Sequence, residues 1–193
     1  MGVEERAARR AAPGLRVART GIALAAGPVD HAELGISVGL AGGLVDSLEP
    51  GTVVVADRVT LTSGETVACD PRWVEALAEA AAALQLPHAV GSLFTSGGIV
   101  AGAERKRRAA EGHVAADMES GLLAAHVDGI AVARTILDTP RHEISPAWAH
   151  PSQAARDPRL WRQGAWLAWW AGRYAARSAR VAAEAHRRLS RRA

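Results

Sequence analysis

One cysteine, one tyrosine, one phenylalanine and two methionines are spread over 193 residues, and each scarcity excludes something. The lone Cys69 makes no intrachain disulfide, so the chain is not a disulfide-stapled secreted scaffold. No histidine–cysteine spacing marks a metal site and the histidines are scattered, so neither a metal nor an organic cofactor is expected. No apolar run reaches membrane-spanning length, and the opening Met1-Gly2-Val3-Glu4-Glu5-Arg6 is too charged for a signal peptide. Internal repeats and low-complexity linkers are also lacking. These absences leave a cytoplasmic protein as the expectation.

What is present is apolar and β-branched. Hydrophobic residues make up 49% of the sequence, enough to bury a substantial core in one domain spanning 1–193. Short valine-rich runs alternate with alanine-rich segments such as Trp73 to Leu84, the pattern of α/β layers.

The most telling stretch is Ala116-Asp117-Met118-Glu119-Ser120-Gly121. Before it, His113 to Ala116 reads as a short buried strand; after it, Ser120 to His126 reads as a helix. Glu119 therefore stands at a strand-to-helix junction, where open α/β sheets bind ligands and a carboxylate can accept hydrogen bonds from a sugar diol. A second strand, Ile130 to Leu137, ends at Asp138 in the same way, so two neighbouring strand ends are expected to present two acids to one cleft. Either acid alone would equally suit a helix start or a turn.

Upstream, Val38-Gly39-Leu40-Ala41-Gly42-Gly43-Leu44 reads as an apolar strand running into a glycine-rich turn. There Gly39, Ala41 and Gly42 would let backbone approach a ligand. Pro50-Gly51 marks the turn into another strand over Thr52 to Asp57. In order along the chain, G-L-A-G-G-L (39–44), L-x-P-G-T-V-V-V-A-D (48–57), A-D-M-E-S (116–120) and R-T-I-L-D (134–138) resemble the nucleoside phosphorylase and nucleosidase superfamily. That superfamily includes purine and uridine phosphorylases and methylthioadenosine/S-adenosylhomocysteine nucleosidases. The resemblance covers roughly Gly2 to Pro140. It is nearest to the short hopanoid-associated phosphorylase-like members, through G-L-A-G-G-L, Val100 to Arg105 and Leu137-Asp138-Thr139-Pro140.

The resemblance implies a three-layer α/β sandwich with a central mixed, mostly parallel sheet flanked by helices. Members of that superfamily begin with a strand before the acids, whereas here Met1 stands almost directly before them, so either the chain start is internal to a longer gene or the first strand is lacking. The resemblance assigns Glu119 to the ribose hydroxyls, Met118 to the sugar and Asp138 to protonation of a purine leaving group. Breaking an N-glycosidic bond builds positive charge on the sugar while the departing base needs a proton, so one ionised and one neutral acid serve the two ends. Glu4 and Glu5 fall where nucleosidases carry the glutamate that activates water, and Arg6, Arg9 and Arg10 beside them equally suit a solvated helix start. Around Ser92 to Val100 a strand runs into a polar turn, and the resemblance places Ser96 of this stretch in the lining of the pocket.

Ser37 and Leu40 occupy the places where phosphorylases bring arginine and serine to phosphate, and neither supplies charge. Water is therefore preferred as nucleophile, with inorganic phosphate as co-substrate the alternative and Arg19 or Arg105 as stand-in cations. The expected substrate is a purine, specifically adenine, nucleoside, with a lipid-linked nucleoside such as adenosylhopane among the forms considered. A homo-oligomer is implied by the family. The contrasting reading is a truncated, non-catalytic member that binds a nucleoside or a membrane.

Beyond Asp157 acids almost vanish, Glu184 being the one left, while arginines accumulate and Trp161, Trp166, Trp169, Trp170 and Tyr174 cluster. Residues 158–193 read as a closing helix of the same domain, its aromatic residues packed on the sheet or a sister subunit. The same composition suits a helix lying on anionic lipid, which would make the protein peripheral to the membrane. Nucleic acid is not expected as a partner, because the charge sits in one tail without a recognition motif.

Overall fold

The apolar, β-branched runs form a mixed six-stranded sheet in the computed structural model, which describes residues 31–192. The strands are β1 (Ala32–Gly43), β2 (Val53–Thr60), β3 (Thr66–Ala68), β4 (His88–Thr95), β5 (His113–Asp117) and β6 (Val127–Asp138). Helices are α1 (Pro71–Ala83), α2 (Gly102–Ala110), α3 (Ser120–Ala124), α4 (Pro151–Ala154) and α5 (Trp161–Arg192). The reading that the chain lacks a first strand concerns residues outside those described, as do Glu4, Glu5 and Arg19.

The sheet is flanked by helices as expected, and it also closes on itself. In the order β3-β2-β4-β5-β1-β6, β2 pairs again with β6, so β2, β4, β5, β1 and β6 form a barrel. The β1–β6, β2–β4 and β4–β5 pairs are parallel, whereas β1–β5 and β2–β6 are antiparallel. Closure removes the edges that an open sheet would expose.

Alternation along the strands sorts two cores. Val54, Ala56, Ile130, Val132 and Ile136 pack together with Leu93 and Ala115. Val53, Val55, Ala131 and Ala133 instead meet Ala76, Leu77, Ala80 and Ala81 of α1 and Val181, Ala182 and Ala185 of α5. Helix α1 begins where it does because the Asp70 carboxylate accepts hydrogen bonds from the amides of Arg72 (2.9 Å) and Trp73 (3.2 Å), with Pro71 in the first turn.

Helix α5 closes the fold from Tyr174 onward. Its buried residues are Tyr174, Ala175, Ser178, Ala179, Val181, Ala182, Ala183 and Ala185. The Ser178 hydroxyl donates to the Gly39 carbonyl (3.1 Å) and the Arg177 guanidinium to the Gly51 carbonyl (2.6 Å). Gly51 has φ +92 and sits so close under Arg177 that any side chain there would collide, so the Pro50-Gly51 turn admits only glycine. The tryptophans do not make this closure: Trp161 and Trp169 are each 62% exposed.

Candidate active site

The expected glycine turn is a strand. β1 runs unbroken through Gly43, because ten residues of parallel pairing with β6 carry it. Gly39, Ala41 and Gly42 thus lie in the sheet, and Gly42 stands opposite Ala116 on β5 and Asp138 on β6. β5 and β6 are therefore not neighbours. β1 lies between them, and since it is parallel to one and antiparallel to the other they run in opposite directions.

At the end of β5 the sequence Asp117-Met118-Glu119-Ser120 turns into α3. Asp117 is wholly buried and saturated: Oδ1 accepts from the Thr95 hydroxyl (2.7 Å), and Oδ2 from the Ser120 amide (3.1 Å), the Ser120 hydroxyl and Arg134 (2.8 Å). A buried carboxylate is tolerated only with such pairing. Arg134, alone among the apolar residues of β6, reaches across to Ser37 (2.7 Å) and pairs through its other terminal nitrogen with Glu119 (3.3 Å). Glu119 is the rim of this network, its side chain 19% exposed, and Met118 beside it is half-buried. Ser96 joins from β4: its amide donates to the Asp117 carbonyl (2.8 Å), while its hydroxyl donates to the Gly98 carbonyl within its own turn.

At the end of β6 a second network forms around Asp138. Arg105, from α2, is 2% exposed; it donates to the carbonyls of Gly43 (2.7 Å) and Val100 (3.0 Å), pairs with Asp138 Oδ2, and meets Glu143 at 3.2 Å. The Ile144 amide also donates to Oδ2 (3.2 Å). Oδ1 accepts no hydrogen bond among the described residues, and a Cβ on Gly42 would stand 3.0 Å from it. Burial pushes the Asp138 carboxyl up from the usual aspartate range; the Arg105 guanidinium and the Ile144 amide pull the other way, and the nearby Glu143 charge adds to the rise. An acid with a raised pKa and one oxygen not engaged keeps its proton to a higher pH than a free aspartate and has an oxygen from which to give it up.

Arg134 and Asp138 lie four residues apart on β6, roughly 13 Å at strand rise. Glu119 pairs with Arg134 at one end of that span, where Ser96 joins the same network through the Asp117 carbonyl, and Asp138 stands at the other end with Gly42 beside it.

Sequence reasoning missed Arg134, Asp117, Ser120 and Thr95 as site residues. A lone arginine in an otherwise apolar strand was a readable signal, since such a charge is buried only when paired. Arg105 was one of the alternatives for a phosphate cation; its nitrogens meet the carbonyls of Gly43 and Val100 and the carboxylates of Asp138 and Glu143. Ser37 is likewise spent, between Arg134 and Ser120, whose hydroxyl lies 2.9 Å away.

Residues 17–127 match the model of the phosphorylase superfamily. Among solved structures the chain is similar to S-adenosylhomocysteine nucleosidase from Streptococcus pyogenes, with 19% identity and a TM-score of 0.60 over 81% of this chain and 68% of that one. It is also similar to 5'-methylthioadenosine/S-adenosylhomocysteine nucleosidase from Neisseria meningitidis, with 18% identity and a TM-score of 0.62 over 81% of this chain and 70% of that one. A third is futalosine hydrolase of Helicobacter pylori, with 15% identity and a TM-score of 0.59 over 81% and 69% of the two chains. No curated protein sequence matches the chain. At such identities the structural likeness speaks for the fold, and the family match speaks for membership: the chain belongs to the phosphorylase superfamily, the nucleoside phosphorylases and nucleosidases that cleave N-glycosidic bonds.

Proposed function

We propose that this protein hydrolyses the N-glycosidic bond of a purine nucleoside, with adenine as the base. The observation that carries the reading is the contrast between its two acids. Asp138 is raised by burial with Oδ1 turned to Gly42, while Glu119 meets the Arg134 guanidinium as a carboxylate at the rim of a buried network. Glu119 accepts hydrogen bonds from the ribose hydroxyls, and Met118 packs on the sugar. Ser96, Gly39, Ala41 and Gly42 border the substrate. Asp138 donates its proton to the base as the C–N bond breaks and the electron pair leaves with the base. Water adds to the anomeric carbon and gives up its proton to Glu4 or Glu5, which lie outside the described residues.

Water is favoured over phosphate because Ser37 and Arg105 are already committed within the protein. The substrates to assay are adenosine, methylthioadenosine, S-adenosylhomocysteine and futalosine. To these we add a lipid-linked nucleoside such as adenosylhopane, on the resemblance to hopanoid-associated members. Release of free base is measured with and without inorganic phosphate. Release without phosphate is the expected result; strict dependence on phosphate would overturn hydrolysis, and no release from any of these substrates would overturn the reading itself. Loss of turnover in Glu4→Gln or in Glu5→Gln, tested separately, identifies the residue that activates water. A homo-oligomer is expected, checked by light scattering on the same sample.

A further inference from the structure

Helix α5 has two unlike parts. From Tyr174 it is buried against the barrel and α1, but no residue between Trp161 and Arg173 is buried. This first part is seated along one side only. The Gln163 side chain bridges the Ser145 amide (2.8 Å) and the Glu143 carbonyl (3.1 Å), and Gly164 lies under the Trp148 ring, where a Cβ would come within 2.8 Å.

The opposite side is open. Trp161, Arg162, Ala165, Ala168, Trp169 and Arg173 are all exposed. At 100° per residue, Trp161, Ala165, Ala168 and Trp169 share one face, with Arg162 and Arg173 on its flank. The Arg173 guanidinium lies over the Trp169 ring at 4.0 Å. The exposed flank continues with Arg180 and Arg187. No acid interrupts it until Glu184, which is paired with Arg187 (2.6 Å) and Arg188 (2.9 Å).

We propose that this face docks on an anionic lipid bilayer, with the exposed indoles entering the headgroup region and the arginines meeting lipid phosphates. Charge complementarity selects this occupant. A second copy meeting the same face about a two-fold axis would bring arginine against arginine, which is repulsive, whereas an anionic surface neutralises the whole row at once. Indoles with flanking guanidinium groups suit the depth at which an interfacial helix lies. The inference does not rest on the catalytic reading, because its test measures lipid binding alone.

The test is sedimentation of the full chain with vesicles of phosphatidylglycerol and phosphatidylcholine against vesicles of phosphatidylcholine alone. Binding to the anionic vesicles, weakened by salt, is the expected result. The paired substitutions Arg162→Gln with Arg173→Gln should weaken it by about fivefold per charge removed. Trp161→Ala with Trp169→Ala should weaken it as well. Arg162, Trp169 and Arg173 are exposed, so the arginine pair and Trp169→Ala alone should keep the parental melting temperature. Trp161 also donates its indole N–H to the Ala155 carbonyl (3.1 Å), so Trp169→Ala alone is the variant that separates lipid binding from folding. Quenching of tryptophan fluorescence in the unaltered chain by brominated lipid gives a second readout that needs no variant. No binding, equal binding to neutral vesicles, variants that bind like the parent, or preference for an oligonucleotide over vesicles would each overturn the proposal. So would concentration-dependent self-association that the tryptophan substitutions abolish.

Discussion

Among the described residues the guanidinium of Arg134 meets the carboxylates of Asp117 and Glu119 and the hydroxyls of Ser37 and Ser120 midway along β6, whereas that of Arg105 meets Asp138, Glu143 and the carbonyls of Gly43 and Val100 at the end of the same strand. Both are buried, and both need their partners. The difference lies in how many donors the inner carboxylate receives. Asp117 is engaged on both oxygens by Thr95, Ser120 and Arg134, and has none left for a substrate. Asp138 receives Arg105 and Ile144 on one oxygen and keeps the other open beside Gly42. The same arginine–carboxylate chemistry thus yields an anchor in one place and, in the other, the carboxyl to which the proposed reaction assigns the proton.

Removing Arg134 should break the anchor. Arg134→Met takes the guanidinium away from the buried carboxylate of Asp117 (2.8 Å), and breaking a buried pair from one side costs about 3–5 kcal/mol. Urea denaturation should show that loss in the unfolding midpoint at constant slope. A change below about 1 kcal/mol, the level of a surface pair, would mean that Asp117 is held by Thr95 and Ser120 alone.

Asp138→Asn should act on the reaction instead. The amide cannot give up a proton, so turnover should fall by roughly 10²–10⁴ while nucleoside binding stays near parental. Steady-state kinetics beside a direct binding measurement distinguish the two effects. Equal turnover in the variant would leave Asp138 as a structural partner of Arg105 and end the contrast between the two networks.

Glu119→Gln tests the rim of the anchor. The amide keeps the shape and loses the charge that meets Arg134 and, in the proposed complex, a ribose diol. A charge-assisted hydrogen bond of this kind contributes about 1.5–3 kcal/mol, so nucleoside affinity should fall by roughly tenfold or more. Calorimetric titration with the nucleoside reads this directly. Unchanged affinity would remove Glu119 from the sugar.

The two networks were unequally legible in the sequence. Glu119 and Asp138 were visible because each follows a short run that reads as a buried strand, and β5, β6 and α1 lie where those runs and the alanine-rich segment announced them. Closure of the sheet was not visible, because pairing of β2 with β6 joins segments far apart in the chain. The run Gly39 to Gly43 looked like a turn, since glycine commonly marks one. It is a strand because β6 pairs along its whole length and because Gly42 must leave room for Asp138. Arg105 was hidden among Lys106, Arg107 and Arg108. Only the packing of α2 decides which of these enters the core, and no local pattern records that. The tryptophan cluster divides: Trp161 and Trp169 are exposed, Trp170 stacks on Tyr174, and the alanines after Tyr174 make the contact with the barrel.

The smallest effect, and the most specific to the Asp138 side, comes from Glu143→Gln. Asp138 must carry a proton to donate one, so kcat/KM should be full below its raised pKa and fall as pH rises through it. The folded state holds that proton more tightly than the unfolded chain does. The stability contributed by this group is therefore complete below the unfolded aspartate value and lost as pH rises through the folded one. Burial is the main cause of the rise, opposed by Arg105, and the charge of Glu143 adds to it. Glutamine at 143 removes that repulsion while keeping an acceptor for the Gly102 amide, which donates to Glu143 at 2.9 Å. Asp138 then ionises more readily, and the alkaline limb of the pH profile should move to lower pH with kcat on the acidic side unchanged. A limb that moves upward would mean that Glu143 acts chiefly by holding Arg105 against Asp138, and that the acid owes its state to the clamp more than to the charge beside it.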